Sequence, residues 1–407
     1  MLSQLSPEIR QYLVITGNYW AFTLTDGALR MLVVLHFHSL GYSPLDIALL
    51  FLFYEIFGVI TNLVGGWLGA HWGLNRTMNI GLALQILALA LLLVPASWLS
   101  VPWVMAAQAL SGIAKDLNKM SAKSAIKSLV PAHAQGTLYQ WVALLTGSKN
   151  TLKGVGFFMG GFLLMTLGFT GALALMALML TFIWLLSLAR LKQNLGKAKY
   201  KPKFRDIFSK SPAINLLSAA RLFLFGARDV WFVVALPVFL SQSLGWNPSQ
   251  TGSFLALWII AYGLVQALAP KITRDAHNTQ HSAVFWVSVL TVIPALMALG
   301  LELTAYTEEI LIGGLLIFGA VFAVNSSLHS YFVVRYANED GVSLDIGFYY
   351  MANALGRLLG TLLSGWMFQL GGQASAGLQA CLWASVVMLM FAWWFSFKLP
   401  QAHQRSY

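Results

Sequence analysis

Cysteine is almost missing. Cys381 is the only one in 407 residues, so no intramolecular disulfide and no cysteine-rich metal site can form. Charge is scarce as well: Asp, Glu, Lys and Arg make up 10% of the chain while 58% of it is hydrophobic. Soluble domains carry about a quarter charged residues, so this composition marks an integral membrane protein. The opening "MLSQLSPEIRQYL" has neither a basic n-region nor a small-residue cleavage site, and no removed signal peptide is expected. No GxxxxGK[ST] phosphate loop occurs, which leaves ATP drive without support. The net charge of +11 does not point to nucleic acid, because the basic residues fall inside apolar spans or in short loops rather than on a basic face with interleaved aromatics. His36 and His38 in "LHFHSLG" lack companion cysteines or clustered carboxylates, so neither a metal nor any other cofactor is expected.

What is present is a series of apolar windows, each long enough to cross a hydrocarbon core of about 30 Å. They fall at 11–36, 45–69, 77–94, 101–125, 137–165 and 171–190, then at 213–240, 249–269, 282–301, 310–334, 343–369 and 375–398. The expected fold is therefore all-α, with twelve transmembrane helices in two six-helix bundles, residues 1–191 and 213–407. The polar linker 192–212 contains "KQNLGKAKYKPKFRDIFSK" and is too polar to cross. The loops joining the odd-numbered spans to the next contain no Lys or Arg. The opposite side carries Arg76, Lys127, the basic linker, Lys271, Arg274, Arg335, Lys398 and Arg405. By the positive-inside rule both termini are cytoplasmic, in a bacterial inner membrane.

"LGYSPLDIALLFL" from Leu40 lines up with "LGWNPSQTGSFLAL" from Leu244, an internal repeat of about half the chain. Two parallel halves around a central linker are the pattern of the major facilitator transporters, in which the site lies at the midplane. The loop signature of that superfamily, GxLaDrxGrk, reads here "GWLGAHWGLNR", Gly66 to Arg76, with Ala70 at the acidic position and His71 at the first basic one. "GVGFFMGG", Gly154 to Gly161, resembles the superfamily's antiporter motif without its proline; close packing of helices through small residues is the other reading.

Four further segments, "GNYWAFTLTDGALRMLVVLHFHSLGYSP", "YEIFGVITNLVGGWLGA", "ALSGIAKDLNKMSAKS" and "WVALLTGSKNTLKGVGFF", resemble the ArsJ family of organoarsenical exporters. That resemblance implies export of 1-arseno-3-phosphoglycerate, the ester made when glyceraldehyde-3-phosphate dehydrogenase takes arsenate in place of phosphate, and hence arsenate resistance. It also implies a functional link to that dehydrogenase, alternating access, and protons as the coupling ion.

Charges buried at mid-span are expensive, about 3 kcal/mol each on lenient scales, and are functional candidates by default. Arg30, Lys115, Lys119, Lys149, Lys153, Arg228 and Arg357 stand against Asp26, Glu55, Asp116 and Asp229. An anionic substrate would neutralise the surplus. Lys115, Lys119 and Lys123 recur every four residues, as do Lys149 and Lys153, so each set shares one helix face. Arg30 and Arg228, on spans that line the cavity in this transporter fold, are expected to clamp phosphate or arsenate oxygens, with Lys115 and Lys119 alongside. Asn325 and His329 either hydrogen-bond substrate or bond between helices. Pairing of Asp26 with Arg30 is the competing structural reading. Direct pairing of Arg228 with Asp229 is disfavoured, since sequence neighbours point about 100° apart on a helix. Lys123 and Lys127 are expected to snorkel to the interface. Glu55, with no cation on its own helix, is the first choice as proton carrier, ahead of Asp26, Asp116 and Asp229, with satisfaction across helices as its alternative. Two other functions stay open: import or phosphate exchange of an organophosphate, and a membrane-embedded enzyme, which the mid-helix placement of the charges disfavours.

Overall fold

Lipid offers backbone N–H and C=O groups no partner, so a spanning chain satisfies them within helices. The computed structural model describes residues 6–41, 50–131, 134–191, 195–198, 203–204, 208, 211–246, 248–273, 279–372 and 374–400, and among these every regular element is helical. Most of the first repeat copy and of the basic linker lies outside the described residues, as do Arg274 and Arg405.

The helices are α1 (Pro7–Ser39), α2 (Leu52–Trp72), α3 (Leu74–Leu91) and α4 (Val101–Leu129). Gln135–Arg190 is two helices joined at Gly168, whose φ of 68° breaks the helix: α5 (135–167) and α6 (169–190). A left-handed φ is a conformation that glycine adopts at little cost. The next span, α7 (Pro212–Gln242), is interrupted after Phe232. Then come α8 (Pro248–Ile272), α9 (Thr279–Leu303), α10 (Thr307–Tyr336), α11 (Val342–Leu370) and α12 (Ala374–Phe397). Several starts follow from local chemistry. Pro212 opens α7, where its missing N–H is no loss, and the Ser211 hydroxyl accepts from Ile214 N–H at 3.3 Å. Gly73, at φ 96°, turns the chain from α2 into α3.

Eight helical stretches among the described residues are long and apolar enough to cross a bilayer. The long helices outside that set are α1, α4 and α11; of the buried charges, Asp26 is on α1 and Asp116 and Lys123 are on α4.

The chain divides into two compact units, Met1–Lys210 with Ala337–Met351, and Ser211–Tyr336 with Ala352–Tyr407. The first packs Phe22, Leu29, Leu32, Leu82, Leu89 and Leu173 into its core; the second packs Trp231, Leu236, Phe239, Leu290, Phe318 and Phe322. Each unit also brings two helices into near-backbone contact through glycine. In the first, a Cβ on Gly156 of α5 would stand 2.8 Å from Leu24 O of α1, and one on Gly160 would stand 3.0 Å from Ala28 Cα. Two glycines of "GVGFFMGG" therefore pack helices. In the second, a Cβ on Gly360 of α11 would stand 2.6 Å from Gly226 O and 3.0 Å from Asp229 Cβ of α7.

Gly360→Ala is accordingly expected to cost about 1–3 kcal/mol by overpacking, read as a lower melting temperature in detergent. Gly365→Ala, where nothing lies within 4 Å, serves as the control and is expected to leave the melting temperature in place.

Candidate functional site

In the first unit α1, α2 and α4 assemble a charged cluster around one tyrosine. The Tyr54 hydroxyl donates to both oxygens of Asp26, at 2.8 and 3.1 Å. Its ring lies 3.8 Å from Lys115 Nζ and 4.9 Å from the Arg30 guanidinium carbon. A desolvated cation over an aromatic face gains about 2 kcal/mol, so Tyr54 holds two cations by its ring and one carboxylate by its hydroxyl. α2 reaches this position because it lies close against α4: a Cβ on Gly112 would stand 2.6 Å from Tyr54 O. Gly58, one turn further along α2, leaves room for Asp116 Oδ2, which a Cβ there would approach to 3.0 Å.

Arg30 donates to Glu55 Oε1 at 3.1 Å, and both side chains keep some exposure, 28% and 42%. The expected alternative pairing of Arg30 with Asp26 is not the one formed: α2 supplies Glu55 to the arginine and Tyr54 to the aspartate. Glu55, which has no cation on its own helix, thus finds one on α1, the cross-helix alternative. On α4 the buried Asp116 accepts from Lys119 at 2.5 Å through Oδ1, with Lys115 Nζ 3.8 Å from Oδ2. Oδ2 itself is buried and accepts no hydrogen bond.

Lys123 departs from expectation. It is buried, not snorkelling, and its ammonium donates to the Tyr350 hydroxyl. The ring of Tyr350 also faces Lys119 at 4.7 Å. Tyr350 of α11 thus covers Lys119 and Lys123 on α4, while Lys115 lies over Tyr54 of α2. Lys149 and Lys153 sit half-buried on α5, Lys153 Nζ 5.9 Å from the Phe157 ring. His36 stacks on Phe169 at 4.0 Å.

The second unit centres on Asp229 of α7, fully buried. Arg228 Nε donates to its Oδ1 at 2.5 Å, and Arg357 Nε of α11 donates to its Oδ2 at 3.1 Å. The direct Arg228–Asp229 pair corrects the sequence expectation. A 100° offset separates Cβ directions, but the long arginine side chain folds back along the helix, its guanidinium 4.9 Å from the Phe225 ring and 5.3 Å from Phe322. The α7–α11 glycine contact brings Arg357 into reach.

Arg221 lies about two turns earlier on α7, and its position near the start of the span does not mark it out in the sequence. It is buried and donates to Asn353 Oδ1 at 2.8 Å and Ser326 O at 3.2 Å, with its guanidinium 3.9 Å from the Phe225 ring. Asn325 Nδ2 donates to Trp286 O of α9 at 2.8 Å, an interhelical bond, and to Val321 O within α10 at 3.1 Å. His329 is buried, and its Nδ1 makes no hydrogen bond.

Cations thus outnumber carboxylates in each unit: Arg30, Lys115, Lys119 and Lys123 surround Asp26, Glu55 and Asp116 in the first; Arg221, Arg228 and Arg357 accompany Asp229 in the second. Tyr54 and Tyr350, missed by a search for charge alone, are legible only as aromatics one helix away from lysines.

The Major Facilitator Superfamily model matches residues 13–274 and 220–406. No curated protein matches the chain. Among solved structures, the human organic anion transporter MFSD10 (TETRAN) superposes with a TM-score of 0.74 at 17% identity, over 96% of this chain and 100% of that one. The proton:xylose symporter XylE bound to 6-bromo-6-deoxy-D-glucose gives 0.76 at 13%, over 97% and 96%. A bacterial homologue of the iron transporter ferroportin in an outward-facing state gives 0.73 at 14%, over 97% and 99%. At these identities the likeness is one of fold.

Proposed function

Since the chain belongs to the Major Facilitator Superfamily, a superfamily of membrane transporters, we propose that it exports an organic phosphoester anion, 1-arseno-3-phosphoglycerate, in exchange for protons. The observation that carries the anionic substrate is the excess of cations over carboxylates in the cluster of each unit. Charge at this depth is retained where something compensates it, and a phosphate–arsenate ester supplies several negative charges. The organic anion transporter among the structural neighbours is consistent with that class. The arsenical itself rests on the family resemblance of α1, α2, α4 and α5.

In this reading Arg30 grips phosphate or arsenate oxygens with its planar fork, while Lys115 and Lys119 add point charge; Lys149 and Lys153 lie on the neighbouring helix. Arg228 and Arg357 offer forks in the second unit, and Asn325 and His329 line α10. Glu55, partly exposed and paired with Arg30, remains the first choice as proton carrier; Asp116 is buried with Lys119 on Oδ1 and Lys115 3.8 Å from Oδ2. Asp26 and Asp229 are each engaged, by Tyr54 and by two arginines. The charge bias of the loops puts both termini in the cytoplasm of a bacterial inner membrane.

The test uses everted membrane vesicles given arsenate, glyceraldehyde-3-phosphate dehydrogenase, its triose substrate and NAD, with each component omitted in turn. Arsenic is expected to accumulate only in the complete mixture, and a protonophore is expected to abolish the accumulation. Uptake of arsenate without the enzyme would instead identify an oxyanion carrier. Absence of uptake in every mixture would overturn the arsenical substrate and leave the organophosphate importer or exchanger to be assayed in right-side-out vesicles.

A further inference from the structure

A cavity of about 320 Å³ opens beside the start of α3 and shares no residue with the charged cluster of the first unit. It is lined by Asn75, Arg76, Asn79, Ile80 and Ala83 of α3 and by Trp184, Leu188 and Leu191 at the end of α6. Its two ends differ in chemistry. Asn75 and Arg76 occupy the first turn of α3, a turn without an acidic residue, and Asn79 the next, at the helix end whose N–H groups favour an anion. Ile80, Ala83 and Leu188 form the other end, and the apolar surface continues through the exposed Leu87 and Leu185.

Asn79 is set in one orientation by a chain of hydrogen bonds. Asn18 Nδ2 donates to Ser187 Oγ at 2.7 Å, and Ser187 Oγ donates to Asn79 Oδ1 at 2.6 Å. With its oxygen occupied, the amide presents its NH2 as a donor among the cavity-lining groups. Trp184 is likewise fixed, its indole N–H donating to Asn79 O at 3.0 Å, so the ring forms a wall rather than a plug. Lys197, exposed just after Gly196, follows Leu195, whose carbonyl accepts the Leu74 N–H at 2.9 Å, and so adds positive charge to the same end of α3.

We propose that this cavity binds one anionic phospholipid, its phosphate held by Arg76 and Asn79 and an acyl chain laid along Ile80, Ala83 and Leu188. A basic group and a fixed donor at one end, with an aliphatic floor leading away into apolar surface, match the two ends of such a molecule. The charge bias of the loops assigns Arg76 to the cytoplasmic leaflet, where anionic headgroups and juxtamembrane basic residues attract each other. The site is independent of the transported substrate.

The experiment is native mass spectrometry of the full chain, released from detergent after exchange into mixtures of phosphatidylglycerol and phosphatidylcholine. Wild type is expected to retain one phosphatidylglycerol in preference to phosphatidylcholine. Arg76→Gln is expected to weaken that retention about fivefold, the contribution of one basic residue near an anionic surface. Ala83→Phe, which fills the apolar end and leaves the charge alone, is expected to abolish it. Retention unchanged in both variants would overturn the proposal. So would displacement of the bound lipid by millimolar glycerol 3-phosphate, because a headgroup without chains would then suffice.

Discussion

Asp229→Asn is expected to lower the unfolding free energy by about 3–5 kcal/mol, the cost of breaking a buried ion pair from one side. Asp229 is fully buried and is the carboxylate shared by Arg228 and Arg357. The substitution keeps volume and shape but leaves two guanidinium groups facing a neutral amide. Phe225 and Phe322 flank Arg228, and a desolvated aromatic face supplies about 2 kcal/mol, less than the cost of losing the carboxylate. Removing one of the stranded cations should restore part of the loss: Asp229→Asn combined with Arg357→Met is expected to be more stable than Asp229→Asn alone, a coupling that a double-mutant cycle in detergent measures directly. A loss below about 1 kcal/mol would mean that water screens the triad as it does an exposed pair, and the buried Asp229 would not be what holds Arg228 and Arg357 in place.

The spans were open to sequence reading because lipid imposes one rule on every one of them. The window 213–240 differs by two residues at most from α7, and 171–190 from α6, since apolar length and the position of Gly168 decide both. The side-chain partners were not open in the same way. Spacing gives the angle of a residue around its own helix, which is why Lys115, Lys119 and Lys123 read as one face. It says nothing of where two helices cross. Arg30 meets Glu55, and Lys123 meets Tyr350 more than two hundred residues later, because crossings set by Gly156, Gly160, Gly112 and Gly66 bring those levels together; a Cβ on Gly66 would stand 3.2 Å from Gly347 Cα on α11. The Arg228–Asp229 pair escaped for a different reason: the angular argument treats the side chain as a rigid spoke, and arginine is the side chain for which that fails most. Tyr54 escaped because aromatics in a membrane protein are read first as lipid-facing, and only α4 alongside makes its ring a cation support.

Arg30→Gln is expected to reduce kcat/KM for the arsenical ester about 10- to 100-fold in the everted-vesicle assay, the loss of one charged hydrogen-bonding group at about 1.5–3 kcal/mol. Arg30→Lys should fall between wild type and Gln, because charge is kept and the two-pronged donor geometry is lost. Tyr54 separates gripping from support. Tyr54→Phe keeps the ring beneath Lys115 and Arg30 and removes only the donation to Asp26, so the KM is expected to stay near wild type. Tyr54→Leu removes the surface that holds both cations, and the KM is expected to rise along with that of Arg30→Gln. If Arg30→Gln folds and transports within about twofold of wild type, the arginine serves only to neutralise Glu55, a partly exposed pair of the kind worth less than about 1 kcal/mol. The α4 lysines, packed on Asp116 and Tyr350, and Lys149 and Lys153 of α5 would then be the groups of the first unit left to meet the substrate.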